Sequence, residues 1–133
     1  MTDPDAAAGP VALVADDDGV TRRVLTLLLQ RQGYRVLVAV DGEGALRLVR
    51  DARPDVVFLD ARMPAPDGYE VCRTIRAESP SDAQPYITMI TAAGQDDDRE
   101  RAVGVGVDEF LTKPFSPSHL SARLRALGGG VSS

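Results

Sequence analysis

Val56-Val57-Phe58-Leu59-Asp60-Ala61-Arg62-Met63-Pro64-Ala65-Pro66-Asp67-Gly68 is the stretch whose reading decides the fold. Four apolar residues run straight into an aspartate, and a loop with two prolines follows, closed by Asp67-Gly68. An unbroken apolar run of this kind reads as a strand buried on both faces, as strands of parallel sheets are. A carboxylate at the C-terminal end of such a strand stands where open α/β sheets place their chemistry. Taken alone, Asp60 fits a cap on the turn into the next helix just as well. The rest of the chain decides between the two.

Upstream, Val11–Ala15 and Arg35–Ala39 are short apolar strand candidates. Between them Val20, Val24, Leu27 and Leu28 fall on one helical face, and Gly33 stops that helix. Asp41 can cap a helix with Ala45, Leu48 and Val49 inward and Pro54 beyond its end. Downstream, Asp67 with Glu70 has capping-box spacing and opens a helix that buries Val71, Cys72 and Ile75. Tyr86–Thr91 is a fourth strand. A poor helix over about 96–103 follows, acidic in its first turn at Asp96, Asp97 and Asp98 and weakened afterwards by Gly104 and Gly106. Glu109–Leu111 is a short fifth strand, and Ser116-Pro117 opens a last helix with Leu120, Leu124 and Leu127 inward. Strands alternating with helices predict an α/β fold: a doubly wound (βα)5 parallel sheet, order 2-1-3-4-5, with helices on both faces.

A length of 133 residues fits one domain. Residues 1–9 read as a loose tail, 10–127 as the domain, and 128–133, with three successive glycines, as a flexible tail or a cut linker. The formal net charge of -5 argues against a nucleic-acid surface on this domain. No apolar run approaches the ~20 residues that span a bilayer. The single cysteine, Cys72, excludes a disulfide within the chain, so a cytoplasmic protein is expected. Cys72 falls on a buried helix face and reads as a small core residue.

In the predicted strand order, Asp16-Asp17-Asp18, Asp60, Thr91 and Lys113 all follow C-terminal strand ends and converge on one rim. Clustered carboxylates raise one another's pKa unless a cation sits among them, and Mg²⁺ is the hard, oxygen-seeking candidate. A lysine and a threonine hydroxyl on that rim suit a phosphoryl group. Asp60, central and on the buried strand, is the natural nucleophile for an acyl phosphate.

These motifs resemble those of bacterial two-component response-regulator receiver domains of the chemotaxis-regulator kind, over about residues 10–127. The resemblance is carried by Leu13-Val-Ala-Asp16-Asp17-Asp18, by Leu59-Asp60-Ala-Arg-Met63-Pro64-Ala-Pro-Asp67-Gly68, by Ile90-Thr91-Ala92 and by Phe110-Leu-Thr-Lys113-Pro114-Phe115. It implies that Asp60 takes a phosphoryl group from a histidine kinase or a phosphotransfer protein. It implies that Asp17, Asp60 and the backbone carbonyl of Arg62 bind Mg²⁺, with Asp16 helping through water. Lys113 would contact the phosphoryl oxygens, Thr91 and Phe110 would be the switch pair, and the Lys113–Pro114 bond would be cis. The signal would leave through the face of the fourth helix, fifth strand and fifth helix. It would go to a downstream protein, or to a missing DNA-binding, cyclase or phosphatase output domain if the chain was cut from a longer regulator. No enzymatic activity is expected beyond self-phosphorylation and self-dephosphorylation.

Gly19 departs from the proline frequent in that family, and His119 from a glutamate that pairs across dimers of a DNA-binding subfamily. A monomer that dimerises only weakly when phosphorylated is therefore expected. Two rival readings fare worse. A haloacid-dehalogenase-type hydrolase needs an acid where Arg62 stands, and a flavodoxin-like carrier needs a phosphate loop where three aspartates stand.

Overall fold

The computed structural model describes residues 9–92, 104–113 and 116–132. Strands β1 (Val11–Ala15), β2 (Arg35–Ala39), β3 (Val56–Asp60), β4 (Tyr86–Ala92) and β5 (Glu109–Lys113) form one sheet. Helices α1 (Gly19–Arg31), α2 (Gly42–Ala52) and α3 (Gly68–Glu78) connect them in turn, and a C-terminal helix (Pro117–Ser132) follows β5. Every pairing is parallel and the order is β2-β1-β3-β4-β5, as expected from the alternation. The expected helix over 96–103 and the Lys113–Pro114 bond lie outside the described residues.

β3 is buried at every position, which is why its sequence shows no polar alternation. Successive residues feed opposite faces. Val57 and Leu59 join Leu13, Met89, Val71, Cys72 and Ile75 on the α2/α3 side. Val56 and Phe58 join Val14, Ile90, Leu25, Leu29, Leu120 and Leu124 on the other. Cys72 is fully buried, its Sγ is 3.3 Å from the Val105 carbonyl, and burial pushes its thiol up to about 11, so it is a core residue.

The caps follow the sequence closely. The Gly44 N–H donates to Asp41 Oδ1 at 2.8 Å, and Asp67 and Glu70 form a reciprocal capping box. Gly33, at φ +92°, turns the chain out of α1. Arg53 caps α2 from the left-handed region at φ 48°, a position no residue type announced.

Two expectations are corrected. The buried stripe of α1 is Thr21, Leu25, Leu28 and Leu29, whereas Val20 and Leu27 are 71% and 50% exposed. The spacing is the predicted one, displaced by a residue. Thr21 can face inward because its hydroxyl donates to Asp18 Oδ2 at 2.7 Å, so a polar residue stands on the buried side and a valine outside it. The last helix also runs past Leu127 to Ser132, through the residues read as a tail. Glycine weakens a helix by about 1 kcal/mol per residue relative to alanine without forbidding it, and each residue added to an existing helix brings its own hydrogen bond.

The end of the molecule away from the aspartates is held by Arg76. Its guanidinium donates to the Gly106 carbonyl (2.8 Å), Gln84 Oε1 (2.9 Å), the Pro85 carbonyl (2.8 Å) and Asp108 Oδ2 (2.7 Å). Asp108 Oδ2 in turn accepts from the Ile87 N–H at 2.8 Å. One side chain thus ties α3 to the starts of β4 and β5. Arg76→Ala leaves those acceptors without their charged donor and should lower stability by about 2–4 kcal/mol. Urea denaturation measures it, and a loss no larger than that of an exposed arginine such as Arg73 would contradict the account.

Candidate functional site

The strand order puts β1 beside β3, with Ala15 opposite Leu59, so the aspartates that follow each strand meet at the C-terminal edge. Asp16 is fully buried, Asp60 is 7% exposed, and Asp17 is exposed at the rim. One carboxylate oxygen from each of the three lies within 4.8 Å of the others.

The two buried acids are held in the same way. The Asp18 N–H donates to Asp16 Oδ1 at 2.8 Å, and the Arg62 N–H donates to Asp60 Oδ1 at 3.0 Å. In both, a backbone N–H two residues on turns the chain back over the carboxylate, as short acidic side chains allow. The Oδ2 atoms remain. Asp16 Oδ2 is buried and takes no hydrogen bond from the described residues. Lys113 Nζ stands 3.2 Å from it and 3.8 Å from Asp60 Oδ2. One ammonium therefore faces both acids.

Asp60 has its carboxyl raised to about 7. Burial is the largest cause, and the neighbouring Asp16 charge adds to it. The Arg62 N–H and Lys113 pull the other way without restoring an ordinary value. The sequence pointed to repulsion among acids; the structure makes loss of hydration the main effect. The buried Asp16 Oδ2, which faces the Lys113 ammonium and takes no hydrogen bond from the described residues, has two further carboxylates at hand, a set that suits a small oxygen-seeking cation.

Thr91 is buried near the end of β4, one residue past Ile90, which pairs with Asp60. Phe110 is half-buried on β5, opposite Met89, and packs against the α2/α3-side core. Lys113 ends β5.

Three features were not anticipated. Arg22 Nη1 donates to the Asp16 carbonyl at 2.7 Å. Gly68 is needed because a Cβ there would stand 2.3 Å from the Asp60 carbonyl oxygen. Gly42 is needed because a Cβ there would stand 1.9 Å from the Pro66 carbonyl oxygen. Arg22, a cation in the first turn of a helix, was a visible oddity. The glycine contacts are long-range and leave no local signal.

Comparison with known proteins agrees with this geometry. The family model of the response regulator receiver domain matches residues 12–125. The chain is 42% identical over 125 residues to the Probable transcriptional regulator ycf27 of Guillardia theta, covering 94% of this chain and 48% of that protein. It thus spans about half the length of such curated relatives. Chemotaxis protein CheY4 of Vibrio cholerae superposes with a TM-score of 0.79 at 33% identity, over 90% of this chain and 98% of that one. The receiver domain of the sensor histidine kinase PA1611 from Pseudomonas aeruginosa, solved with a magnesium ion coordinated in its active site cleft, gives 0.79 at 34%, over 92% and 99%. Among the described residues no helix is long and apolar enough to cross a membrane. The buried acid pair, its facing lysine and the matched residues make this chain a member of the response regulator receiver domain family, a module of phosphorylation-dependent two-component signalling.

Proposed function

We propose that Asp60 is the phosphoryl acceptor, that the donor is a phosphohistidine on a histidine kinase or phosphotransfer protein, and that Mg²⁺ is required. The observation that supports this best is the pair of buried carboxylates facing one lysine, with Asp17 at the rim beside them. Asp16, Asp17, Asp60 and the Arg62 backbone carbonyl would hold the ion, Asp16 through water. When bound, the ion supplies positive charge to the phosphoryl oxygens.

An ionised Asp60 oxygen attacks phosphorus, and the phosphorus–nitrogen bond to the donor imidazole breaks. The imidazole leaves with the electron pair, and the product is an acyl phosphate on Asp60. Lys113, already facing Asp60 Oδ2, pairs with the incoming oxygens. The Thr91 hydroxyl donates to one of them, and its movement leaves room for Phe110 to turn inward, coupling the two residues as a switch. Residues 10–127 form the working unit. The signal passes to a partner protein through the face expected of the fourth helix, fifth strand and fifth helix, with at most weak dimerisation. A second reading rests on the half-length match to transcriptional regulators: the receiver would then control a DNA-binding output domain in a longer chain.

Intact-mass measurement tests the assignment. With acetyl phosphate and Mg²⁺ the wild type should gain about 80 Da, one phosphoryl group, and Asp60→Ala should gain nothing. A variant phosphorylated to the wild-type extent would refute Asp60 as acceptor.

A further inference from the structure

We infer that Arg22 is a positioning residue for the proposed Mg²⁺ site, acting through the backbone that carries Asp16 and Asp17. This rests on the function proposed above and extends it to a residue outside the acid cluster. The strand pairing of β1 ends at Ala15 on both sides, so the Asp16 carbonyl lies beyond the ladders. Arg22 takes it up, donating from Nη1 at 2.7 Å from the far side of the first helical turn. The same short loop is fixed at two more points. The Asp18 N–H donates to Asp16 Oδ1, and Asp18 caps α1 by accepting from the Val20 N–H and the Thr21 hydroxyl. Asp17 sits between these anchors, and among the described residues nothing but the backbone that carries it directs its exposed carboxylate.

The placement of Arg22 runs against the helix dipole, which a cation in the first turn opposes. Gly19, Val20 and Thr21 bring no acid to that turn, and the N-cap Asp18 just before it is engaged by the Val20 N–H and the Thr21 hydroxyl. It also stands beside the loop proposed to receive a second cation. Its guanidinium folds over Gly19, where a Cβ would lie 3.5 Å from Nη2. A local conflict of this kind is expected where a residue serves a site.

The two possible effects of Arg22 have opposite signs. If it acts only as a nearby positive charge, removing it strengthens Mg²⁺ binding. If it holds the loop, removing it weakens binding, about tenfold on the scale found when a supporting group behind a metal ligand is lost. Calorimetric titration of the full chain with MgCl₂ at pH 8 separates them. Arg22→Met should bind Mg²⁺ about tenfold more weakly than wild type. Phosphorylation by acetyl phosphate should need correspondingly more Mg²⁺ and reach the wild-type rate at saturation. A purely structural role would lower the melting temperature and leave the affinity unchanged. Unchanged or tighter binding overturns the inference. Should Arg22→Met fail to fold, Arg22→Gln is read the same way. A wild type that binds no Mg²⁺ overturns the proposed function and this inference with it; a wild type that binds normally confines any failure to Arg22.

Discussion

Gly68→Ala should lower stability by roughly 2–3 kcal/mol or more, the range of overpacked sites that cannot relax cheaply. It should also reduce the proposed phosphorylation of Asp60. The added methyl would stand 2.3 Å from the Asp60 carbonyl oxygen and 2.9 Å from Ala61 Cα. Both are backbone atoms, so no rotamer change relieves the clash. Either the end of β3 or the start of α3 must move, and Asp60 is the last residue of β3. Gly42→Ala should behave alike, because its methyl would meet the Pro66 carbonyl at 1.9 Å and push on the loop that follows Asp60. Gly104→Ala is the control. Among the described residues nothing lies within 4 Å of its added Cβ, so the change should be neutral or mildly stabilising. Urea midpoints and intact masses after acetyl phosphate treatment decide the matter. Gly68→Ala and Gly42→Ala proteins as stable as Gly104→Ala would mean that the close approaches are wrong.

In EDTA the wild type should lose stability as pH rises from about 4 to about 7, and Asp60→Asn should not show that loss. The folded protein holds the Asp60 carboxyl near 7, above its ordinary value of 3.8, chiefly because the group is buried. Between those values the folded state keeps a proton that the unfolded chain releases. The linkage slope is therefore negative in that window, and the full effect amounts to about 4 kcal/mol as an upper figure. Below pH 4 both states are protonated and this contribution is fully present; above pH 7 it is gone. Asp18 and Glu78 shift downward, so their stabilisation is lost only as pH falls toward and below the ordinary carboxylate range, outside this window. Asp60→Asn should match wild type near pH 4 and exceed it at pH 8. Saturating Mg²⁺ should narrow the gap at pH 8, because a cation favours the ionised carboxylate of the wild type. Parallel stability curves for the two proteins in EDTA would show that Asp60 ionises freely.

The sequence by itself determined the strands, their order, the caps at Asp41 and Asp67, and the approach of Asp16, Asp17, Asp60 and Lys113 at one rim. These depend on short-range patterns. A both-faces-buried strand must be apolar throughout, a capping box has a fixed spacing, and a parallel alternation of strands and helices admits few topologies. The phase of α1 was not among them, because Val20 and Leu27 imitate a stripe one residue away from the true one. Only the hydrogen bond from Thr21 to Asp18 makes an inward threonine acceptable. The reach of the last helix to Ser132 was likewise hidden, since glycine disfavours a helix without excluding it. Tertiary structure alone decided that hydration loss dominates at Asp60, that Lys113 stands 3.2 Å from Asp16 and 3.8 Å from Asp60, and that Gly42 and Gly68 leave room for backbone. Each of these depends on distances between segments far apart in the chain, which no local pattern encodes.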